Sequence, residues 1–287
     1  MLHKTAGDRF MDALNWCLLI IIAGTMFFPF LHIFSVSFST MTNYLEQDLI
    51  IWPKQWVADA YEHVLGNERF IRSLFVTVYI TLIGTVMNLI FTASMAYGLA
   101  RPFYGQRTLM LMVLFTFLFS AGIIPSYLVV KATGLIDTIW ALIIPGLISP
   151  WNLIVIRQFF RHIPAELHES ATVDGANELR IFRSIILPLS KPALATFGLF
   201  YAVLHWNSYF AGVLYLNKPE LWPIQVLLRQ IVIVHDTSAL AETLAPSPPA
   251  ETIQMAAVLL ATLPILIVYP FLQKHFAKGV MLGSVKG

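Results

Sequence analysis

Charge is what this chain has least of. Only 12% of its 287 residues are Asp, Glu, Lys or Arg, about half the share usual in a soluble domain. Cysteine is nearly absent as well: Cys17 stands alone inside an apolar run, so no intrachain disulfide can form. No glycine is followed by lysine, which removes the G-x-x-x-x-G-K-[ST] phosphate loop. Any ATP hydrolysis the protein needs must come from another polypeptide. His168-Glu169 opens like a zincin helix, but Thr172 stands four residues after His168, so H-E-x-x-H is missing. The eight histidines are scattered without ligand spacing, and there is no G-x-S-x-G elbow. Neither an enzyme nor a metal centre is expected, and nothing in the chain addresses nucleic acid.

What is abundant is apolar surface. Hydrophobic residues make up 57% of the chain and aromatics 13%, with a mean hydropathy of +0.73. The apolar runs are continuous rather than alternating, which argues against a β-barrel. Runs long enough to cross a bilayer fall at 14–38, 71–98, 107–130, 138–157, 193–215 and 254–273. The expected fold class is an all-α polytopic membrane protein with six transmembrane helices. The first run is too long for a signal peptide and lacks a small-residue cleavage site, so it reads as a retained anchor.

Lys and Arg set the orientation. One side collects the N-terminus, 99–106 with the adjoining Arg107, 157–192 and the C-terminal tail, with twelve basic and six acidic residues (net +6). The other holds six basic and ten acidic residues (net −4). The basic side is expected to be cytoplasmic, with both termini on it. Opposite lie two sizeable loops, 39–70 and 216–253. The second contains "ETLAPSPPAET", whose prolines keep it out of helix.

One polar island breaks the oily rhythm: "ESATVDGANELRIFRSIILPLSKP", residues 169–192. Pro164 suits the first position of a helix. Glu166 and Glu169 follow in its early turns, favourably placed on the dipole. Asp174-Gly175 marks a tight turn. A second helix begins near Asn177, with Phe182, Ile185, Ile186 and Leu189 spaced as one apolar stripe. Helix, glycine turn and amphipathic helix form a compact polar knob. An interfacial helix resting on lipid headgroups is the competing reading.

These residues also resemble a family. Glu169-Ser170-Ala171, three residues, Gly175, nine residues, then Ile185-Ile186-Leu187-Pro188 looks like the E-A-A…G…I-x-L-P loop of ABC importer permeases. Ser170 replaces the middle alanine, a small-for-small exchange. The tail "FLQKHFAKGVMLGSVKG" is similar to the ends of carbohydrate-importer permeases of the maltose-transporter type, above all those importing oligosaccharides of polysaccharides such as alginate. The resemblance covers nearly the whole chain and implies a type I importer fold. The N-terminal anchor and first periplasmic loop would be 1–70, the core 71–273 with the loop at 163–192, and the cytoplasmic tail 274–287. It implies that Glu169, Ser170, Ala171, Asp174, Gly175, Ala176, Phe182, Ile185, Leu187 and Pro188 form the coupling helix and its support. That element would dock on an ATP-binding cassette subunit. Implied partners are a homologous permease, two such ATPase subunits carrying the ATP and Mg, a periplasmic or extracellular solute-binding protein, an oligosaccharide and the lipid bilayer of the inner membrane. No cofactor is expected on this chain itself. A loop before the last span, here 216–253, would probe the binding protein.

A substrate path needs polar groups inside the spans, where they are costly unless turned into the bundle. The fifth span carries His205, Trp206, Asn207, Tyr209 and Phe210, with Tyr201 and Ser208 near His205. The second adds Asn88, Thr92 and Ser94. Rings and amides suit sugars, while the same residues equally serve as glue between helices. The alternative function, an ion-coupled secondary transporter, would want intramembrane ionisable groups. Only His32 and His205 qualify, with no acid beside them.

Overall fold

The computed structural model describes residues 6–40, 43–44, 49–232 and 250–281. The stretch 233–249 of the last external loop and the tail from 282 onward, both part of the expectations above, lie outside the described residues. Among the described residues every regular element is helical. In chain order they are α1 (Ala6–Ser37), α2 (Asp59–Gly66), α3 (Glu68–Ala100), α4 (Gln106–Leu118), α5 (Ile123–Ala132) and α6 (Pro150–Arg161). There follow α7 (Ala165–Val173), α8 (Glu178–Leu189), α9 (Lys191–Trp206), α10 (Tyr209–Tyr215), α11 (Ile224–Val232) and α12 (Ala250–Met281).

The chain divides into two compact units: Met1–Phe70 with Leu228–Thr262, and Ile71–Leu227 with Leu263–Gly287. In the first, α1 is a 32-residue helix with Pro29 in its interior. None of the residues in its apolar window is buried. Its far end is stitched to the segment that follows: the Ser35 hydroxyl donates to the Ile51 carbonyl at 2.6 Å, and Ser37 bonds the Tyr61 hydroxyl at 2.7 Å.

The second unit holds the broken spans. Among all the described residues, three helices are long and apolar enough to cross a membrane unbroken, and three further pairs qualify only as bent spans. The uninterrupted run expected at 107–130 is instead α4 and α5, bent by 118°. Phe119 leaves the helix for extended backbone, and the Gly122 amide turns back onto the Ser120 hydroxyl at 3.3 Å. The run at 138–157 begins as two short 3₁₀ turns, Ile139–Leu142 and Ile144–Gly146, then bends 50° into α6. Pro145 and Pro150 flank that break, each removing a backbone donor. The run at 193–215 stops at Trp206 and restarts at Tyr209. The Asn207 side chain bonds the Val203 carbonyl at 2.9 Å, a local competitor to the helical ladder.

Two apolar cores organise this unit. One gathers Ala96, Leu153, Ile156, Phe160, Ile181 and Ile186 at the basic end. The other gathers Ile80, Val130, Leu142, Ile143, Tyr215 and Leu216 at the opposite end.

Candidate functional site

The polar island folds as a helix–turn–helix elbow closed by hydrogen bonds at its turn. At the end of α7 the Ala176 amide reaches back to the Ala171 carbonyl at 2.9 Å, and the Gly175 amide reaches Thr172 at 3.0 Å. That pair of bonds is a Schellman motif, which needs a left-handed residue at its centre. Gly175 supplies it with φ of +78°, a conformation that costs other residues about 1–2 kcal/mol. Asn177 then starts α8, its side-chain oxygen accepting from the Arg180 amide at 2.9 Å.

The apolar stripe expected along α8 is met at Phe182, Ile185 and Ile186 but not at Leu189. A π-turn occupies Phe182–Ile186, widening the helix to an i→i+5 repeat. The buried positions are therefore Ile181 and Ile186, with Phe182, Ile185 and Leu187 packed partly against them and Leu189 exposed. Burying Ile181 and Ile186 contributes roughly 1.5–3 kcal/mol each. Ala171 is buried in the same core, and Ala176 is half-buried. The motif thus splits in two. Ala171, Phe182, Ile185 and Leu187 face the bundle, whereas Glu169, Ser170, Asp174, Gly175 and Pro188 are exposed. At the tip Val173 is 87% and Leu179 63% exposed.

No local spacing marks the hub that holds this elbow. Glu178 accepts from the Tyr97 hydroxyl at 2.6 Å and from Arg101 at 2.6 Å, and lies 3.2 Å from His168 Nε2. The Arg101 guanidinium also stacks over the Tyr97 ring, 4.8 Å from its centroid. One carboxylate therefore ties α7, α8 and the end of α3 together. Partial burial works against its charge, but the Tyr97 hydroxyl, Arg101 and His168 together outweigh that and hold its pKa below the ordinary value. Tyr97 and Arg101 are 81 and 77 residues from Glu178 in sequence, so no local spacing could have paired them.

The intramembrane polar residues have a different arrangement. Asn88 on α3 donates its amide to the Gly146 and Leu147 carbonyls, both at 2.8 Å. Two carbonyls can only accept, so the Asn88 oxygen faces away, onto His205 Nε2 at 2.6 Å. His205 Nε2 must then carry the proton. Tyr201 bonds Thr92 at 2.8 Å, and its oxygen accepts the Ser149 amide at 3.2 Å. These side chains satisfy the backbone groups freed where the fourth span breaks, as membrane burial demands. Gly84 makes the close approach possible: a Cβ there would sit 2.5 Å from His205 Nε2. Of the six path candidates, Asn88 and His205 are therefore buried in interhelical contacts. Trp206 is buried too, in the wall of a groove of about 1040 Å³ that Thr85, Gly198 and Pro264 also line. Asn207, Tyr209 and Phe210 lie at the break between α9 and α10, Asn207 and Phe210 exposed and Tyr209 half-buried.

This architecture has known relatives. Residues 90–282 match the family described as binding-protein-dependent transport system inner membrane component, and the chain belongs to that family. It is a permease of the ABC importer class with a type I importer fold, a transport subunit of the inner membrane. Over its full length it is 47% identical to protein LplC of Bacillus subtilis, covering 98% of that protein. It is 48% identical to the polygalacturonan/rhamnogalacturonan transport system permease protein YtcP of the same organism, covering 98% of this chain and 99% of YtcP. A crystal structure of a bacterial ABC transporter involved in the import of the acidic polysaccharide alginate has a chain that superposes with a TM-score of 0.90. That chain is 33% identical, with 96% of this chain and 100% of that one covered.

Proposed function

We propose that the chain forms half of the translocation path of an ATP-driven importer for oligosaccharides of an acidic polysaccharide, delivered by a solute-binding protein. The names of the relatives support the substrate class: an alginate importer and a polygalacturonan/rhamnogalacturonan permease. A homologous permease encloses the other half, and two ATP-binding cassette subunits drive the pair. Six spans cross the membrane, three of them broken, with both termini cytoplasmic. The 81° bend between α8 and α9 turns the polar arm Glu178–Leu189 out of the membrane.

The observation that carries this reading is the elbow: a helix–Gly175–helix unit with a hydrogen-bonded turn, packed on the apolar core and bound to α3 through Glu178. Such a unit moves as one body. Exposed Glu169, Ser170, Asp174 and Gly175, with Val173 and Leu179 at the tip, form the face that an ATPase subunit grips. Closure of the ATPase dimer on ATP then pulls α3 and the core with it. Alternating access follows as a population shift, ATP favouring the outward-open state. Asn207, Tyr209 and Phe210 at the fifth-span break offer rings and an amide to the sugar, while Asn88 and His205 hold the helices around the path.

Proline at position 175 fixes φ near −65° and is incompatible with the observed +78°. Gly175→Pro is expected to insert in the membrane normally while losing substrate-stimulated ATP hydrolysis and uptake in the reconstituted complex. Normal coupling in that variant would refute the lever.

A further inference from the structure

The external segment 49–56 carries a surface that the transport reading leaves unused. Leu49, Ile51, Trp52 and Trp56 are each half or more exposed. Four exposed apolar side chains within eight residues make a contiguous patch of the kind that marks an interaction site. The patch is rigidly attached to α1. The Ile50 carbonyl accepts from His32 Nδ1 at 3.1 Å and the Ile51 carbonyl from Ser35 at 2.6 Å. The Val57 amide reaches the Phe38 carbonyl at 3.0 Å. Trp56 packs on Phe34 and Phe38, with centroids 6.0 and 5.4 Å apart, and Trp52 meets Trp56 edge-on at 5.3 Å.

Its level is fixed by the helix it grips. Counted from Leu14, where the apolar run of α1 begins, a hydrocarbon core of about 30 Å ends roughly 20 residues on, near Phe34. Ile51 is bonded at Ser35 and Trp56 stacks on Phe34, so the segment lies at the boundary of core and headgroups. Around that level α1 presents Phe27, Phe28 and Phe30, exposed among the described residues. Indole rings prefer this zone, apolar body toward the core and N–H toward water.

We propose that Leu49, Ile51, Trp52 and Trp56 dip into the outer-leaflet interface of the bilayer, a lipid-facing anchor continuous with the exposed face of α1. The segment is thus a collar that fixes α1 at one depth, rather than a docking surface for a soluble partner.

The test is spin-label accessibility in the assembled complex in lipid nanodiscs. Cys17, the sole native cysteine, is replaced by serine. A nitroxide is placed by Ile51→Cys or, separately, Leu49→Cys, so that failure of one variant to assemble leaves the other. Tyr104→Cys, at a fully exposed position in the loop between α3 and α4, serves as the water reference. Both external labels are expected to collide with oxygen at least threefold more, relative to a water-soluble nickel chelate, than the reference does. Their values should not change when the solute-binding protein is added. Three results would overturn the proposal: a nickel accessibility equal to the reference, a fall on adding binding protein or oligosaccharide, or protection from both quenchers, which would mean a protein neighbour.

Discussion

Replacing Glu178 with alanine removes one carboxylate and three ties at once. The Glu178 side chain is 61% exposed, so its pairing with Arg101 is worth about 0.2–1 kcal/mol. The bond from the Tyr97 hydroxyl, 2.6 Å long, adds about 1 kcal/mol after allowance for solvent. Together the loss is about 1–2 kcal/mol, small against the stability of the fold but concentrated between the elbow and α3. A tilt of 1.4 kcal/mol in a two-state equilibrium is tenfold in population. Glu178→Ala is therefore expected to assemble with its partners and leave basal ATP hydrolysis near normal, while uptake per ATP hydrolysed falls by about threefold to tenfold. The assay is reconstitution in proteoliposomes with the ATPase subunits and the binding protein, measuring hydrolysis and uptake on the same vesicles. Unchanged uptake per ATP would refute the idea that the elbow moves α3 through this carboxylate. The pH dependence has a definite sign. Because the folded pKa is lowered, the stabilisation is complete above the ordinary glutamate value of about 4.3. It is lost progressively as pH falls from there through the lower folded value, so the wild-type advantage over Glu178→Ala should be flat from neutral pH down to about 4.3 and shrink below it.

Gly84→Ala drives a methyl to within 2.5–2.8 Å of the His205 ring, which its bond to Asn88 holds in place. It should destabilise the folded chain by about 1–3 kcal/mol, read as a lower thermal midpoint in detergent. Asn88→Ala leaves two carbonyls and His205 without their partner. The expected cost is about 1–3 kcal/mol per stranded group, a larger drop in midpoint than for Tyr209→Ala. Tyr209→Ala, at the fifth-span break, is expected to assemble normally and weaken uptake; unchanged uptake kinetics would remove Tyr209 from the path.

The hydrophobic runs made the helical class legible, because apolar length alone separates membrane helices from soluble ones. They did not reveal the breaks. Run 107–130 does carry breakers at its bend, Ser120, Gly122 and Pro125, and Gly122 takes a positive φ of 84° there, but mean apolar length over the whole run masks them. The elbow was legible for the opposite reason: Pro164, Gly175 and Asn177 each have a local backbone preference that the fold obeys. The stripe along α8 held at Phe182, Ile185 and Ile186 and missed only at Leu189, where the π-turn has changed the period, and nothing in "FRSII" announces one. Asn88 and His205 were visible as polar residues in spans. Their pairing was hidden, since it joins helices 117 residues apart.

The most direct test of the lever is a photo-crosslinker in place of Val173, the tip residue, in the intact complex in native membranes. The expected product is an adduct with the ATP-binding cassette subunit, formed in high yield and changed by ATP. Adducts with lipid alone, in the presence of a bound and active ATPase, would contradict the account.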